Sequence, residues 1–353
     1  MNLPKHQRFA EVLPAEGRIL LCTHRHPDPD GLGALVGLQQ LLLDRFQLES
    51  DFVLEGRIRR AENVAMRQLL EIHSIPKGGV NPADYQGLIL VDSQPGFSHT
   101  RPPGGLPLLA VFDHHEGAEE PCSERLDPQF SWVDSEFGAT STMIHHFMRA
   151  FDVVPTKRSA TALFCGVRYD THDLAQESTS TDEESYFELQ RMADRKMLQQ
   201  IDSPALPREY FGQMAQAIDS CEVYGFALLA LMGEVSSPEA VAEVADWFVR
   251  LDGQQWSLAG GACDGRYQVS LRTDVPGADA YPALRYILGG QGACGGHGRM
   301  AGGQVPLTDV NLEEVVEKIR IRALKLFGVE GVEPVPLVEA SERKFLKRAQ
   351  RKS

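Results

Sequence analysis

The sequence lacks an apolar run that could cross a membrane, because no stretch approaches the ~18 consecutive apolar residues that a spanning helix needs. Its N-terminal stretch, Met1-Asn-Leu-Pro-Lys-His-Gln7, also lacks the apolar core of a signal peptide. These two absences predict a protein without a membrane partner. We therefore expect a cytoplasmic location.

Cysteine is sparse and is not spaced for metal or disulfide chemistry. The chain has six cysteines among 353 residues, and no two of them form a C-x-x-C pair. This spacing argues against zinc fingers and against a disulfide framework, and it agrees with a reducing compartment. Cys22 and Cys165 lie in apolar runs, so we expect both to be buried thiols.

The sequence has fewer basic than acidic residues, with 35 Lys and Arg against 49 Asp and Glu and a net charge of −14. Non-specific binders of duplex nucleic acid are usually basic, so long duplexes are not expected as partners, although a local basic pocket can hold a short nucleic acid. Residues 341–353 are the exception, with six basic residues and one acid. This tail is either simply solvated or contacts RNA or the acidic body of the chain.

Acids and histidines follow the first apolar run of the chain. The run 18–23 leads directly into His24-Arg-His-Pro-Asp-Pro-Asp30. So dense a set of polar groups is costly to bury unless something neutralises it, and a divalent cation would do so. The two prolines restrict the residues before them to extended conformations. We therefore expect the carboxylates of this segment to lie on a stiff loop and not in a helix.

The same pattern recurs three times. Run 87–92 ends on Asp92, run 106–115 ends on Asp113-His114-His115, and run 162–170 ends on Asp170. A single Asp at the end of a strand often caps the next helix. Four such runs with histidine partners are better explained by a shared metal site at the carboxyl ends of parallel strands, where α/β sheets bind their ligands.

Alternating strand and helix patterns predict an α/β fold with a doubly wound, mainly parallel sheet. The expected strands of this sheet are 18–23, 87–91 and 107–112, and the expected helices are 33–46, 61–73 and 138–151. A charged helical region follows at 182–201. Beyond it, strands at 222–233 and 266–273 and a helix at 237–251 predict a second, smaller α/β domain.

Together these motifs resemble the DHH phosphoesterase family. A fifth element, the glycine-rich segment 289–303 with His297, is similar to the GGGH segment of the DHHA1 domain that follows the DHH domain in one branch of this family. The resemblance covers nearly the whole chain, in order. The most similar subgroup is that of the nanoRNase and pAp-phosphatase (NrnA-like) enzymes.

The resemblance implies a domain plan. Its expected parts are a DHH catalytic metal-binding domain at 1–175, a helical linker at 176–212, a DHHA1 substrate-binding domain at 213–330 and the basic tail at 331–353. The sequence leaves the oligomeric state open, and a homodimer is one alternative.

The resemblance also implies ligands for two cations. The ligands of the first ion would be His24, Asp28 and Asp92, and those of the second would be Asp30, Asp92, His114 and Asp170. Asp92 would bridge both ions. Asp113 would orient ligand groups, and His115 would face the scissile phosphate as an electrostatic or general-acid group.

The chemistry of the donors indicates which cation fits. Carboxylates and imidazoles without a thiolate favour a cation that accepts both oxygen and nitrogen ligands. Mn²⁺ fits best, and Mg²⁺ and Co²⁺ are alternatives. Two such ions can activate a water and neutralise the charge that develops on a phosphate during hydrolysis.

The glycine-rich segment predicts an anion site, because glycines let backbone N–H groups approach a phosphate closely. The alternative is an ordinary surface loop. By resemblance, the substrate-binding residues would be Arg272, Gly295, Gly296 and His297. A substrate held at both ends would be short.

We therefore expect a metal-dependent phosphoesterase that hydrolyses short oligoribonucleotides, a nucleotide 3′,5′-bisphosphate (pAp), or both. Exopolyphosphatase or pyrophosphatase activity and cyclic-dinucleotide phosphodiesterase activity are the enzymatic alternatives. A non-catalytic nucleotide-binding relative is the alternative from another class, but none of the six matched metal ligands is missing.

Overall fold

Two units make up the chain, Met1–Ala205 and Leu206–Ser353. The computed structural model describes residues 3–58, 60–97, 99–117, 126–175, 178–308 and 310–338, without the side chain of His297. Each unit contains one sheet with packed helices, which confirms the expected α/β class. The segment 176–212, predicted as a linker, is divided between the two units, and the tail from residue 339 lies outside the described residues.

The sheet of the first unit is entirely parallel. Its strands are β1 (Arg18–Cys22), β2 (Glu49–Val53), β3 (Ser74–Ile75), β4 (Gly87–Val91), β5 (Leu108–Asp113) and β6 (Phe130–Val133). They lie in the order β3-β2-β1-β4-β5-β6. Strands β2 and β3 therefore lie on one side of β1, and β4, β5 and β6 lie on the other side. This places the topological switch point, where such sheets bind ligands, between β1 and β4.

Helices pack on this sheet around a large apolar core. They are α1 (Lys5–Val12), α2 (Pro29–Phe46), α3 (Ala61–Leu69), α4 (Thr140–Ala150), α5 (Lys157–Asp170), α6 (Ser180–Met192) and α7 (Arg195–Asp202). The core includes the contacting rings of Phe9, Phe112 and Phe147. Cys22 and Cys165 are buried, as predicted. Among the described residues, no helix is both long and apolar enough to span a bilayer.

Two expectations about local structure are wrong. The run that ends on Asp170 is not a strand but helix α5, which the Thr156 side chain caps by accepting a hydrogen bond from the backbone of Ser159. Asp30 does not lie on a stiff loop, because α2 already begins at Pro29 with Asp28 as its cap. Proline is well suited to the first helical position, where its missing N–H is not needed.

The second unit has a mixed sheet of seven strands. They are β7 (Cys221–Tyr224), β8 (Ala227–Glu234), β9 (Trp256–Cys263), β10 (Arg266–Thr273), β11 (Ala293–His297), β12 (Met300–Pro306) and β13 (Val335–Pro336). Their order is β11-β12-β10-β9-β8-β7-β13, and only β8 and β9 pair in parallel. The glycine-rich segment is therefore not a free loop, because most of it forms the β11–β12 hairpin at one edge of the sheet.

Helices cover both faces of the second sheet. They are α8 (Arg208–Asp219), α9 (Pro238–Phe248), α10 (Ala280–Leu288) and α11 (Leu312–Phe327). One apolar cluster contains Leu284 of α10 and Ile319 of α11. A separate cluster contains Val241 and Val244 of α9. The second unit therefore has its own core, as expected of a domain.

Candidate metal centre

The candidate centre lies at the carboxyl ends of β1, β4 and β5 in the first unit. His24 follows β1, Asp92 follows β4, and Asp113 ends β5 and is followed by His114. Strands β1 and β4 flank the switch point of the sheet. The sequence therefore brings its acids and histidines to the edge where a parallel sheet leaves room for a ligand.

Asp92 occupies the middle of the centre in an unusual conformation. Its φ is +54°, in the left-handed region that non-glycine residues rarely adopt. Its backbone N–H donates to the carbonyl of Phe112 at 2.8 Å, and its carboxylate is almost fully buried. Strain of this kind costs about 1–3 kcal/mol and is concentrated at functional sites. Here it turns the carboxylate toward the ends of the neighbouring strands.

A first group of donors consists of His24, Asp28 and Asp92, whose nearest ligand atoms all lie within 4.8 Å of one another. His24 Nε2 is 3.3 Å from Asp92 Oδ2 and 3.7 Å from Asp28 Oδ1. The latter oxygen also accepts hydrogen bonds from the backbone N–H groups of Asp30 and Gly31, each at 3.0 Å. The start of α2 therefore fixes the Asp28 carboxylate beside the histidine.

A second group consists of Asp30, Asp92, His114 and Asp170. His114 Nε2 is 3.0 Å from Asp170 Oδ2, 3.7 Å from Asp92 Oδ1 and 4.0 Å from Asp30 Oδ2. The other ring nitrogen of His114 lies 3.3 Å from the carbonyl of Phe137. If Nδ1 donates to this carbonyl, Nε2 is left as a lone-pair donor toward the carboxylates, as in many metal-binding histidines.

Asp30 is held by the N-terminus of α4, an arrangement that the sequence did not reveal. Its two carboxylate oxygens accept hydrogen bonds from the backbone N–H groups of Thr140 at 2.7 Å and Ser141 at 2.8 Å. The Thr140 hydroxyl also donates to Asp92 at 3.3 Å. The only signal in the sequence was the small and capping residues at the start of the predicted helix 138–151.

Asp113 and His115 form a pair at the rim. His115 Nδ1 lies 2.8 Å from Asp113 Oδ1, and half of the His115 side chain is exposed (51%). Gln94 donates to the other Asp113 oxygen at 2.8 Å. Sequence reasoning missed Gln94, which follows Asp92 by two residues. The buried carboxylate of Asp113 is therefore held from two sides and orients the imidazole.

The donor atoms fit a divalent cation. Three buried atoms that face the centre, His24 Nε2, His114 Nε2 and Asp92 Oδ2, have no hydrogen-bond partner among the described residues. Buried polar atoms are rarely left unpaired. A Cβ added to Gly31 would lie only 3.2 Å from that Asp92 oxygen, so the glycine keeps the space beside it open. Oxygen and nitrogen donors without sulfur suit Mn²⁺ or Mg²⁺ better than a softer ion.

In the metal-free centre, burial and the neighbouring carboxylates disfavour the ionised form of Asp30 and Asp170. Burial, and then the nearby charge of Asp92, raises the pKa of Asp30 to about 7. Burial, with the charge of Asp30, raises the pKa of Asp170 well above its ordinary value. Burial lowers the pKa of His114, but its close contact with the Asp170 carboxylate and the other surrounding carboxylates outweigh this effect and raise the pKa to about 10. Cations would relieve this crowding of negative charge.

These shifts predict how the stability of the metal-free protein depends on pH. Between the ordinary carboxyl pKa of 3.8 and about 7, folded Asp30 keeps a proton that the unfolded chain releases. Folded His114 does the same between 6.5 and about 10. The free energy of unfolding should therefore fall as pH rises from about 4 to 8. Because a cation replaces these protons, Mg²⁺ should remove or reverse the fall. Melting temperatures in EDTA and in Mg²⁺ across this range test it, and a metal-free melting temperature that rises throughout would contradict it.

The four predicted substrate-binding residues lie in the second unit. Arg272 is on β10, where its Nε donates to Asp246 at 2.5 Å and its Nη1 donates to the Leu271 carbonyl at 3.0 Å. The three others, Gly295, Gly296 and His297, lie on β11. The His297 side chain lies outside what the structure describes.

Part of the first unit is similar to a known family model. Residues 18–167 match the model described as "DHH family, N-terminal domain". This range contains every residue of the two donor groups except Asp170. The matched range agrees with the resemblance carried by the motifs of the first unit.

Comparisons with individual proteins extend over most of the chain. An uncharacterized protein of Methanocaldococcus jannaschii is 27% identical over 325 residues, which is 89% of this chain but only 65% of that relative. The chain thus spans less than two thirds of that relative's length.

Two solved structures share the fold. A crystal structure of an exopolyphosphatase-related protein from Bacteroides fragilis has a TM-score of 0.67 and 14% identity, over 91% of this chain and 96% of that one. RecJ from Thermus thermophilus, in complex with Mn²⁺, has a TM-score of 0.53 and 14% identity, over 91% of this chain and 54% of that one.

Proposed function

We propose that the chain is a phosphoester hydrolase that uses two divalent cations, because residues 18–167 match the model of the DHH family N-terminal domain. The observation that carries the proposal is that Asp92 belongs to both donor groups. One of its oxygens faces His24, and the other faces His114. A carboxylate shared in this way is what a pair of neighbouring ions requires.

Each donor group would hold one ion. His24, Asp28 and Asp92 would bind the first, and Asp30, Asp92, His114 and Asp170 would bind the second. When bound, such ions supply an activated water and charge neutralisation at the phosphate. We propose Mn²⁺ as the ion, with Mg²⁺ and Co²⁺ as alternatives.

The residues around the ligands would hold and move protons. His115 is exposed enough to meet a substrate, and Asp113 holds its Nδ1. The His115 ring would therefore present Nε2 to the scissile phosphate, either as an electrostatic group or as the acid that protonates the leaving oxygen. Gln94 would keep Asp113 in place for this task.

For the substrate, we propose short oligoribonucleotides, pAp, or both, hydrolysed in the cytoplasm. The motifs quoted above resemble those of nanoRNases and pAp phosphatases, and the net charge of −14 disfavours long duplexes. The fold shared with an exopolyphosphatase-related protein makes polyphosphate the substrate to test against.

A substrate panel tests the proposal. The turnover of pAp, RNAs of two to five nucleotides, inorganic pyrophosphate and polyphosphate would be measured with Mn²⁺ and again with EDTA. We expect cation-dependent hydrolysis of the nucleotide substrates. Hydrolysis of polyphosphate alone would replace the proposed substrate. Binding of nucleotides without any turnover would indicate a non-catalytic relative.

We also propose that the second unit binds the substrate through Arg272 and His297, with Gly295 and Gly296. Arg272→Ala should lower kcat/KM for short RNA and pAp at least about tenfold, the order of a lost charge-assisted hydrogen bond. Hydrolysis of bis-p-nitrophenyl phosphate, which has no distal phosphate, should change less. Arg266→Ala on the same strand is the matched control, because Arg266 is exposed. Equal losses on all substrates would show that Arg272 only maintains the fold.

A further inference from the structure

The segment that follows Asp92 is fixed against the metal centre. The backbone N–H of Arg25 donates to the carbonyl of His99 at 2.9 Å, and the N–H of Thr100 donates to the carbonyl of Phe97 at 3.0 Å. The side chains of Thr100 and Ser93 are hydrogen-bonded to each other. Backbone hydrogen bonds to the carbonyls of Phe97 and His99 therefore hold both residues beside the centre.

These two aromatic rings line one side of the centre. The Phe97 and His99 rings contact each other in a tilted arrangement, with centroids 5.2 Å apart and an interplanar angle of 33°. The His99 ring stands edge-on to His24, with centroids 5.8 Å apart. Phe97 stands edge-on to His115 at 6.3 Å. The pair thus extends from a predicted ligand of the first ion to the predicted catalytic histidine.

The two residues differ in how much of their surface solvent can reach. His99 is exposed, whereas Phe97 is only partly so. The Phe97 ring contacts the His99 ring, and residue His99 is accessible beside the centre. The proposed mechanism uses neither ring.

We propose that His99, supported by Phe97, is a stacking surface for the nucleobase attached to the phosphate that is cleaved. Bases of single-stranded RNA bind proteins largely by stacking on aromatic side chains, histidine included. In a nucleotide the base is joined to the phosphate through one ribose, so a phosphate at the metal centre brings its base to the surrounding wall. This inference rests on the proposed function and specifies its substrate as a base-bearing ester, in contrast to polyphosphate.

Dinucleotides that lack one base provide the test. The values of kcat/KM would be measured for an RNA dinucleotide and for two matched dinucleotides with an abasic ribose at the 5′ or the 3′ position. In the wild type, one of the abasic substrates should be poorer than the full dinucleotide by about 5- to 150-fold, the range expected for a stacked base. In His99→Ala, the ratio between the full and that abasic substrate should fall toward one.

His99→Phe separates stacking from hydrogen bonding. It should keep most of the wild-type ratio, because it retains an aromatic ring but has no ring nitrogen. Phe187→Ala, at an exposed Phe on α6, is the matched control and should keep the wild-type ratio. If His99→Phe is as damaging as His99→Ala, His99 binds the phosphate or carries a proton, and the stacking proposal is wrong.

Two further outcomes are distinguishable. Equal hydrolysis of full and abasic dinucleotides by the wild type would overturn the stacking proposal and leave the proposed function intact. Failure to hydrolyse any of the three substrates with Mn²⁺ would overturn the proposed choice of nucleotide substrates, and this inference with it.

Discussion

Replacing Asp92 with Asn should abolish phosphoester hydrolysis and weaken the binding of both cations together. Both oxygens of Asp92 point into the centre, one toward His24 and one toward His114. An amide leaves one weaker oxygen donor and turns an NH₂ group toward the other ion. Even a lost outer partner of a metal ligand costs about 10–100-fold. We therefore expect a fall in kcat of at least about 100-fold, with reduced Mn²⁺ content by elemental analysis.

Asp134→Asn is the matched control for this variant. Asp134 follows β6 as Asp92 follows β4, but its carboxylate contacts Lys5 and Trp132 and belongs to neither donor group. It should retain wild-type metal content and turnover. If Asp92→Asn kept two tightly bound ions per chain, the shared-ligand assignment would be wrong.

The second large effect concerns two carboxylates of the same group. Asp170→Asn and Asp30→Asn should each lower turnover by about 100-fold or more, but their effects on metal-free stability should differ. The Asp170 carboxylate lies 3.0 Å from His114 Nε2 but accepts no backbone hydrogen bond among the described residues, and burial beside other acids disfavours its charge. Removing that charge should raise the metal-free melting temperature at pH 7.5.

Asp30→Asn should gain less stability than Asp170→Asn. Both oxygens of Asp30 accept backbone N–H groups, from Thr140 and Ser141. An amide has one oxygen, so one of these donors would face an NH₂ group and lose its acceptor, at a cost of about 1–3 kcal/mol. Urea unfolding of both variants in EDTA measures the difference. A metal-free Asp170→Asn protein that is less stable than the wild type would show that Asp170 has a structural role.

The sequence predicted which acids and histidines lie together in the candidate centre because their signal is local. An apolar run that ends on Asp92 or on Asp113-His114-His115 reports both the strand and the side chain at its end. The strands β1, β4 and β5 lie close to the predicted ranges. Since parallel strands share one carboxyl edge, neighbouring acids on that edge follow from the pattern alone.

The run before Asp170 was harder to interpret, because short apolar runs have the same appearance in buried helices and strands. Its small residues, including Ala162, allow α5 to approach α2 closely at Gly33. This packing depends on both helices, so the segment before Asp170 does not reveal it alone. Helix α2 likewise begins earlier than predicted, because Pro29 starts a helix as readily as it stiffens a loop.

Contacts that support the centre were not predictable from any single segment. Thr140 and Ser141 bind Asp30 across 110 and 111 residues of sequence. Gln94 binds Asp113 across 19 residues. None of these residues has a side chain that marks it as functional, and only the packing of α4 and the loop after β4 brings them to the acids.

A titration of the metal-free chain with Mn²⁺ tests the central claim, that one carboxylate serves two ions in a hydrolase. Bound ions would be followed by electron paramagnetic resonance, and the turnover of a short RNA would be measured in the same samples. We expect two ions per chain, a spectrum of magnetically coupled Mn²⁺, and activity that rises only as the second ion binds. Full activity with one ion per chain, or unchanged activity in EDTA, would contradict the account.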